Sequence, residues 1–539
     1  MAIDSSADRR WRAVLEQSPT LVQPGDFYGL ERESLRVLPN GELARTPHPA
    51  PLGSSLTNTF ITTDFSESQI EFTTSPHRSV AGLLQELRYL QMFTLEGLAA
   101  DGEQREGLWP LSMPPVLPSD EAQIPIARYG DSATGLAKHI YRQGLARRYG
   151  SRMQTVSGVH FNFSFSQRFL RELRILDNGA SQSDAETESA ERELQNRMYF
   201  AMIRNFQRES IYLMYLFGAS PAIDASFLAR PDDRLTPTDY DARTLYAPYA
   251  TSLRLSDIGY TNSNQCDLDI SYDSLADYIQ TMCRAVSRPN PAFNKWSYER
   301  GEQLNDFYLQ IENEHYGVIR PKQTPRSGER PLTALEARGV RYLEVRCLDV
   351  NPYDPGGVSE ERMAFVHLVL LNNLLQASPP LSREDCGLQR ENQKLVAWRG
   401  REPELRLKAG GAQAQPENFR DAGRRWVDSL GTLAERLDRE IGCDRYVQSM
   451  AAQSAKFEDV EQTPSARMLR EMRDGRLGHI DFGLQLLERH RTALEAQELP
   501  PLTRRKLEQA VKTSLVEHAE IEAQADQGPV RLPKVCQGA

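Results

Sequence analysis

Regular alternation of apolar and polar residues marks several strands in the first two thirds of the chain. The clearest example is TVSGVHFNFSFS at 155–166, in which every second residue from Phe161 to Phe165 is a phenylalanine. Because successive side chains of a strand point to opposite faces, this pattern predicts a strand with one apolar and one polar face. Further extended segments are predicted at 29–37, 61–74, 307–321 and 340–352.

A helical period prevails in other segments, above all after residue 358. Leu194, Met198, Met202 and Phe206 recur every four residues and predict a long helix. A second apolar stripe consists of Phe419, Trp426, Leu430, Leu433 and Leu437. Together with the strands, these helices predict an α+β fold, in which helices pack around and after a polar-faced sheet.

Composition narrows the classes of function. Hydrophobic residues make up 40% and charged residues 26% of the 539 positions, which is typical of a soluble protein with a large core. The net charge of −10 disfavours nucleic acid as the main partner. The sequence contains no apolar run of membrane-spanning length and no apolar stretch typical of a secretory signal near its start, so we expect no membrane association. Six cysteines without CxxC spacing indicate reduced thiols in a cytosolic enzyme.

The polar faces of the predicted strands carry an unusual set of residues. Alternation places these residues together within each strand: Glu31 with Glu33; His160 with Asn162 and Ser164; Gln310 with Glu312 and Glu314; and Tyr342 with Glu344 and Arg346. The solvated face of an antiparallel sheet would alternate in the same way. Such a face is usually rich in Lys, Thr and Ser, whereas these sets hold carboxylates, one imidazole and one guanidinium. Carboxylates with an occasional imidazole suit Mg²⁺ or Mn²⁺, and the lack of clustered Cys or His disfavours zinc.

Three further observations concern the polar face and the way in which the protein could hold a phosphate. Arg346 lies two residues from Glu344, where a guanidinium could hold a phosphate that a metal also contacts. Asp64 and Glu71 have an odd spacing, so they can face one site only if their strand bends or carries a bulge. The sequence contains no P-loop, GxGxxG or GxSxG motif. If the protein uses ATP, metals and arginine must therefore hold the phosphates.

Long segments in matching order link the chain to a known family. They are GLERESLRV at 29, ITTDFSESQIEF at 61, WPLSMP at 109, YRQGLARRYGSRMQTVSGVHFNFS at 141, YLFGASPAI at 215, PYATSLRLSDIGYTN at 248, LQIENEHYGVIRPK at 309, RYLEVRCLDVNP at 341 and SARML at 465. In these segments the chain resembles the bacterial glutamate–cysteine ligases. The resemblance spans nearly the whole chain and weakens at 176–192 and 377–417.

The resemblance implies a fold and a set of site residues. The fold would be glutamine-synthetase-like, with a curved antiparallel sheet that forms a funnel-shaped active site surrounded by helices. The implied metal ligands are Glu31, Glu33, Asp64, Glu71, His160 and Glu344. Arg346 would contact the γ-phosphate, Gln154 and Arg254 the amino-acid substrate, and Tyr141, Tyr260 and Tyr316 would enclose the cysteine. Structural alternatives remain: a core histidine, core tyrosines, and an ion pair of Arg254 with Asp257.

The resemblance also implies an activity. It is the ATP-dependent joining of the γ-carboxylate of glutamate to the amine of cysteine through γ-glutamyl phosphate, the first step of glutathione biosynthesis. Mg²⁺ or Mn²⁺ would be the cofactor and ATP a co-substrate, in the cytoplasm. Alternatives are another carboxylate–amine ligase of the same fold, a metal-dependent phosphohydrolase and a non-catalytic binding protein.

The chain is expected to form one catalytic unit over 1–539. Its strand-rich part would run over about 20–355 and its mainly helical part over about 356–525, with a flexible tail at 526–539. Its partners would be small-molecule substrates only. A monomer is compatible with this organisation, and the oligomeric state stays open.

Overall fold

The structure is a computed structural model that describes residues 16–524, except 17, 19, 23–24, 102–104, 179–183, 260–267, 327 and 409–415. The predicted tail at 526–539 and the predicted pocket residue Tyr260 lie outside the described residues. The strands are β1 (Phe27–Val37), β2 (Ile61–Thr63), β3 (Gln69–Thr73), β4 (Gly107–Leu108), β5 (Gly158–Ser164), β6 (Ala222–Asp224), β7 (Thr236–Pro237), β8 (Thr244–Tyr246), β9 (Ile319–Lys322) and β10 (Tyr342–Asp349).

Helices account for most of the rest of the described chain. They are α1 (Val80–Asp101), α2 (Ala133–Tyr149), α3 (Gln167–Asn178), α4 (Asp184–Phe217), α5 (Leu275–Ala285), α6 (Pro331–Arg338), α7 (Glu360–Leu375), α8 (Arg383–Arg399), α9 (Phe419–Ser429), α10 (Gly431–Ile441), α11 (Arg445–Glu458), α12 (Pro464–Gly475), α13 (His479–Glu495) and α14 (Pro501–Ala523). The long helix predicted from the methionine stripe is α4, and the helical part predicted after residue 358 is confirmed.

One antiparallel sheet dominates the fold. Its main path is β2-β3-β1-β5-β10-β9, and β4 adds to the far end of β1. A small second sheet has the order β6-β8-β7. The predicted α+β class with an antiparallel sheet is therefore confirmed.

The apolar face of the main sheet forms the core. Phe161 and Phe163 on β5 are fully buried, as the alternation predicted. Helix α1 packs against β1 and β3, and α4 packs against β9 and β10. The helices thus cover one face of the sheet and leave its polar face for other contacts.

Two predicted strands are wrong in detail. The segment 61–74 is a hairpin of β2 and β3 in place of one strand. The segment 307–321 holds a short 3₁₀ helix at Glu312–Glu314, and only its end belongs to β9. Glu312 and Glu314 therefore leave the polar face and form buried ion pairs, with Arg330 at 2.7 Å and Arg148 at 3.1 Å respectively.

The C-terminal helices return to the strand-rich part of the chain. Helix α13 packs against α1, β4 and β6, and α14 packs against α1. None of the helices in the described part of the chain has the length and apolar character needed to cross a membrane. The prediction that all cysteines are reduced is wrong at Cys283, which is disulfide-bonded.

Phe163 offers a test of the apolar sheet face. Its ring lies 5.0 Å from the rings of Phe165 and His367. We expect Phe163→Ala to lower the free energy of unfolding by about 3–5 kcal/mol, because it opens a cavity in a packed core. Urea unfolding measures the change, and Leu502→Ala, at an exposed position, should change it by less than about 0.5 kcal/mol. Equal effects of the two substitutions would contradict this account of the core.

Candidate functional site

The register of the central strands brings the predicted polar residues together. Glu31 on β1 lies opposite His160 on β5, and Glu33 lies opposite Glu71 on β3. On the other side of β5, Glu344 of β10 lies opposite Asn162. Adjacent strands thus place their polar side chains on one face.

His160 is the centre of this face. Its Nδ1 lies 3.2 Å from Glu31 Oε2 and 3.9 Å from Glu344 Oε1, and its Nε2 lies 3.7 Å from Glu33 Oε1. Ligand-type atoms of Glu31, His160 and Glu344 lie within 4.8 Å of one another. The imidazole is buried and lies among carboxylates, and Glu31 is its nearest carboxylate partner.

Hydrogen bonds fix the orientation of these carboxylates. The Asn162 amide donates to Glu31 Oε1 at 3.0 Å, and the backbone N–H of Gly158 donates to Glu33 Oε2 at 2.7 Å. Arg346 Nη1 lies 3.0 Å from Glu344 Oε1 and 3.4 Å from His160 Nδ1. The residues selected by strand alternation thus form one connected group.

The β2–β3 hairpin explains the odd spacing of Asp64 and Glu71. Glu71 lies opposite Thr62, and the backbone N–H of Asp64 donates to Gln69 at 3.0 Å. Because Asp64 is two residues after Thr62, it shares a face with Glu71. A hairpin brings the two carboxylates together, whereas the sequence had suggested a bend or bulge.

A bulge does occur on β10. Val345 lies opposite Phe161 and Leu348 opposite Val159, so two residues of β10 face one residue of β5. The extra residue shifts the alternation by one position. Asp349, opposite Gly158, therefore follows Arg346 on the polar face.

Asp349 holds Arg254 beside the polar face. Asp349 Oδ1 lies 3.5 Å from Arg254 Nη1, and its other oxygen accepts from Ser220 Oγ at 2.7 Å. Arg254 Nη2 donates to the Arg346 carbonyl at 3.3 Å. A Cβ on Gly158 would overlap the Arg254 guanidinium, so any other residue there would have to displace that arginine.

The alternative partner proposed for Arg254 is used elsewhere. Asp257 pairs with Arg234 at 2.9 Å and accepts from the Trp398 indole N–H at 2.7 Å. The Arg254–Asp257 pairing is therefore wrong. The buried Arg254 guanidinium belongs with Asp349 and the end of β10.

Two of the remaining predicted residues contact each other. Gln154 Nε2 donates to the Tyr316 hydroxyl at 3.1 Å, and the Tyr316 ring lies 6.0 Å from that of Tyr149. Tyr141 lies about two turns before Tyr149 on α2. That helix begins at the Ser132 cap, whose hydroxyl accepts from the Gly135 N–H at 3.2 Å. A cavity of about 400 Å³ lies beside Tyr316 and Arg346.

Strand β9 adds a cation that the sequence analysis missed. Lys322 lies opposite Tyr342, and its Nζ lies 3.3 Å from Glu344 Oε1. The predicted segment ended at Pro321, one residue short of it. LQIENEHYGVIRPK contains the lysine, and continued alternation from Arg320 would have placed it on the polar face.

The carboxylates divide into two groups by their electrostatic surroundings. Burial raises the pKa of Glu344, but Arg346 and Lys322 outweigh burial and hold it well below the usual range. In contrast, burial raises the pKa of Glu71 well above its usual range, and Asp64, Glu31 and Glu33 raise it further. The β10 side of the face is thus neutralised by cationic side chains, whereas on the β3 side Arg142 lowers the pKa of Glu71 by less than burial and the neighbouring carboxylates raise it.

Comparison with known proteins identifies the class of this protein. A crystal structure of a glutamate–cysteine ligase from Francisella tularensis, in complex with AMP, matches with a TM-score of 0.83 and 33% identity, over 94% of this chain and 96% of that one. The fold is therefore that of an amino-acid ligase. Glutamate–cysteine ligases from Leptospira interrogans and Azotobacter vinelandii are 42% and 44% identical, over 94% and 92% of this chain and 94% and 91% of their own. The family model for glutamate–cysteine ligase matches residues 14–396. The chain belongs to the glutamate–cysteine ligase family and is an enzyme.

Glu71 provides a test of the raised pKa on the β3 side of the face. Its raised pKa means that the folded protein keeps a proton that the unfolded chain releases above about pH 4.5, so stability falls as pH rises above that value. We expect Glu71→Gln to unfold at a higher temperature than the unsubstituted protein at pH 8, in chelator, with a difference that shrinks towards pH 4.5.

The matched control is Glu517→Gln, at an exposed position on α14. It should shift the unfolding temperature little at either pH. Destabilisation of the Glu71→Gln variant at pH 8 would show that this carboxylate is stabilised in its charged form.

Proposed function

We propose that this enzyme uses ATP to join the γ-carboxylate of glutamate to the amine of cysteine, giving γ-glutamylcysteine, the first step of glutathione biosynthesis. The observation that carries the proposal is the carboxylate face around His160, in a chain similar to glutamate–cysteine ligases over nearly its whole length. The AMP in the Francisella relative supports nucleotide use. The reaction takes place in the cytoplasm, where ATP is available.

The donor set fits a hard divalent cation. Glu31, Glu33, Asp64, Glu71, His160 and Glu344 would hold Mg²⁺ or Mn²⁺. The crowding of carboxylates around Glu71 supports this assignment, as does Glu344 Oε2, which is buried without a hydrogen-bond partner among the described residues. When bound, the ions would neutralise charge on the ATP phosphates.

The chemistry requires activation of the glutamate carboxylate. A carboxylate oxygen attacks the γ-phosphorus of ATP, the bond to ADP breaks, and γ-glutamyl phosphate forms. The cysteine amine then attacks the carbonyl carbon, phosphate leaves, and the ammonium proton passes to solvent. This route needs no covalent bond to the protein, so the enzyme acts by positioning the substrates and stabilising charge.

The residues predicted to contact the substrates each have a role in this scheme. Arg346, fixed against Glu344, donates to the transferring phosphoryl group. Arg254, fixed by Asp349, pairs with a carboxylate of the amino-acid substrate. Gln154 contacts the amino-acid substrate, and Tyr316, Tyr141 and Tyr260 enclose the cysteine.

Product analysis tests the activity itself. Mass spectrometry of a reaction with ATP, Mg²⁺, glutamate and cysteine should find γ-glutamylcysteine and ADP in equal amounts. 2-Aminobutyrate should also be ligated at high concentration, because an apolar pocket distinguishes a thiol from a methyl by only about 1–3 kcal/mol. Serine should be poorer, since its hydroxyl would be buried without a partner.

Two other outcomes would replace the proposal. Phosphate release from ATP without any amino acid would indicate a phosphohydrolase. A dipeptide with another amine but none with cysteine would indicate a different ligase of the same fold.

Arg346→Lys tests the phosphoryl contact. A lysine keeps the charge but cannot reproduce the planar guanidinium, so we expect kcat to fall on the order of 10²-fold with little change in the KM for glutamate. Steady-state kinetics measure both parameters. Arg424→Lys, at an exposed position paired with Asp421, is the control and should keep kcat. Normal kcat in Arg346→Lys would assign this arginine a purely structural role.

A further inference from the structure

One oxygen of Glu344 is contacted by two cations. Arg346 Nη1 lies 3.0 Å and Lys322 Nζ 3.3 Å from Glu344 Oε1, and His160 Nδ1 lies 3.9 Å from the same atom. Glu344 also belongs to the group of ligand-type atoms formed with Glu31 and His160. A divalent cation on that group and the two side-chain cations would repel one another at such distances.

The two side-chain cations differ in their freedom to move. Arg346 is nine-tenths buried and lies in the β10 bulge, and its own backbone carbonyl accepts a hydrogen bond from Arg254. Lys322 is the last residue of an edge strand, and 22% of its side chain is exposed although Glu344 is fully buried. A lysine ammonium on a flexible stem can change partners, whereas a buried planar guanidinium is held in place.

We propose that Lys322 competes with a divalent cation for Glu344 and, once displaced, donates to the phosphate chain of ATP. From its position on β9, the lysine ammonium neutralises Glu344 on β10 and Glu31 on β1. When the carboxylates take a divalent ion, the ammonium turns to the phosphate oxygens of ATP, with whose negative charge it can pair. The second half of this inference depends on the proposed use of ATP, and the first half does not.

Mn²⁺ binding tests the competition in nucleotide-free protein. Lys322→Met removes the competing charge and keeps the length of the side chain, so we expect Mn²⁺ to bind on the order of 10-fold more tightly in an electron paramagnetic resonance titration. Lys408→Met is the matched control, because Lys408 forms an exposed pair with Glu391 at 2.8 Å and its loss changes the net charge equally. Unchanged or weaker Mn²⁺ binding by Lys322→Met, or equal tightening in the control, overturns the competition.

Nucleotide binding tests the second partner. At saturating Mn²⁺, calorimetry should show that Lys322→Met binds the non-hydrolysable ATP analogue AMPPNP about 10-fold more weakly than the unsubstituted enzyme. AMP, which lacks the β- and γ-phosphates, should bind both proteins equally. Equal affinity of the two proteins for AMPPNP overturns the contact with the phosphate chain.

Circular dichroism confirms the fold of each variant, and Lys322→Gln replaces Lys322→Met if the latter does not fold. Failure of this inference and failure of the ligase proposal give different results. An enzyme that makes γ-glutamylcysteine, with Mn²⁺ binding unaffected by Lys322→Met, refutes the competition alone. A protein that makes no dipeptide, with Mn²⁺ binding tightened in Lys322→Met, refutes the ligase proposal alone.

Discussion

Repulsion between carboxylates on one sheet face is the constraint on which the rest of the structure depends. Glu31, Glu33, Glu71 and Glu344 lie on adjacent strands, and burial would favour their neutral forms. Such a face does not stabilise a fold by itself. The packed phenylalanines and helices on the reverse face must supply that stability. The two faces of β5 therefore differ in function: the apolar face stabilises the fold, and the polar face carries the charged groups that can bind ligands.

Backbone irregularities decide which cations reach the face. The β10 bulge shifts the alternation so that Asp349 follows Arg346 on the polar side, and Asp349 in turn fixes Arg254. Gly158 provides the space for the Arg254 guanidinium, and its N–H fixes Glu33. A regular strand would turn Asp349 to the other face, and any other residue at position 158 would displace the Arg254 guanidinium. The site is thus built as much from one bulge and one glycine as from its charged residues.

Much of this could be predicted from the sequence, and the failures have physical reasons. Alternation alone selected Glu31, Glu33, His160, Glu344 and Arg346, because period-two patterns survive wherever strands pair regularly. It could not resolve 61–74, since the turn between β2 and β3 is DFSES, without the Gly, Asn or Pro that mark hairpins. Lys322 was missed because the predicted segment ended at Pro321. β9 is an edge strand, where a proline needs no partner for a missing N–H.

Burial separates the cations of the site into fixed and movable groups. Arg254 is buried between a carboxylate and a backbone carbonyl, so its position depends little on what binds nearby. Lys322 reaches Glu344 from an edge strand and stays in contact with solvent, so its partner depends on which charges are present. The neutralised β10 side therefore does not exclude a divalent ion, because one of the charges that neutralise it is able to leave. On the β3 side, Arg142 and Lys138 interact electrostatically with Glu71, yet burial and the neighbouring carboxylates still raise its pKa well above the usual range. An external cation is therefore needed there to hold all the carboxylates in their charged form.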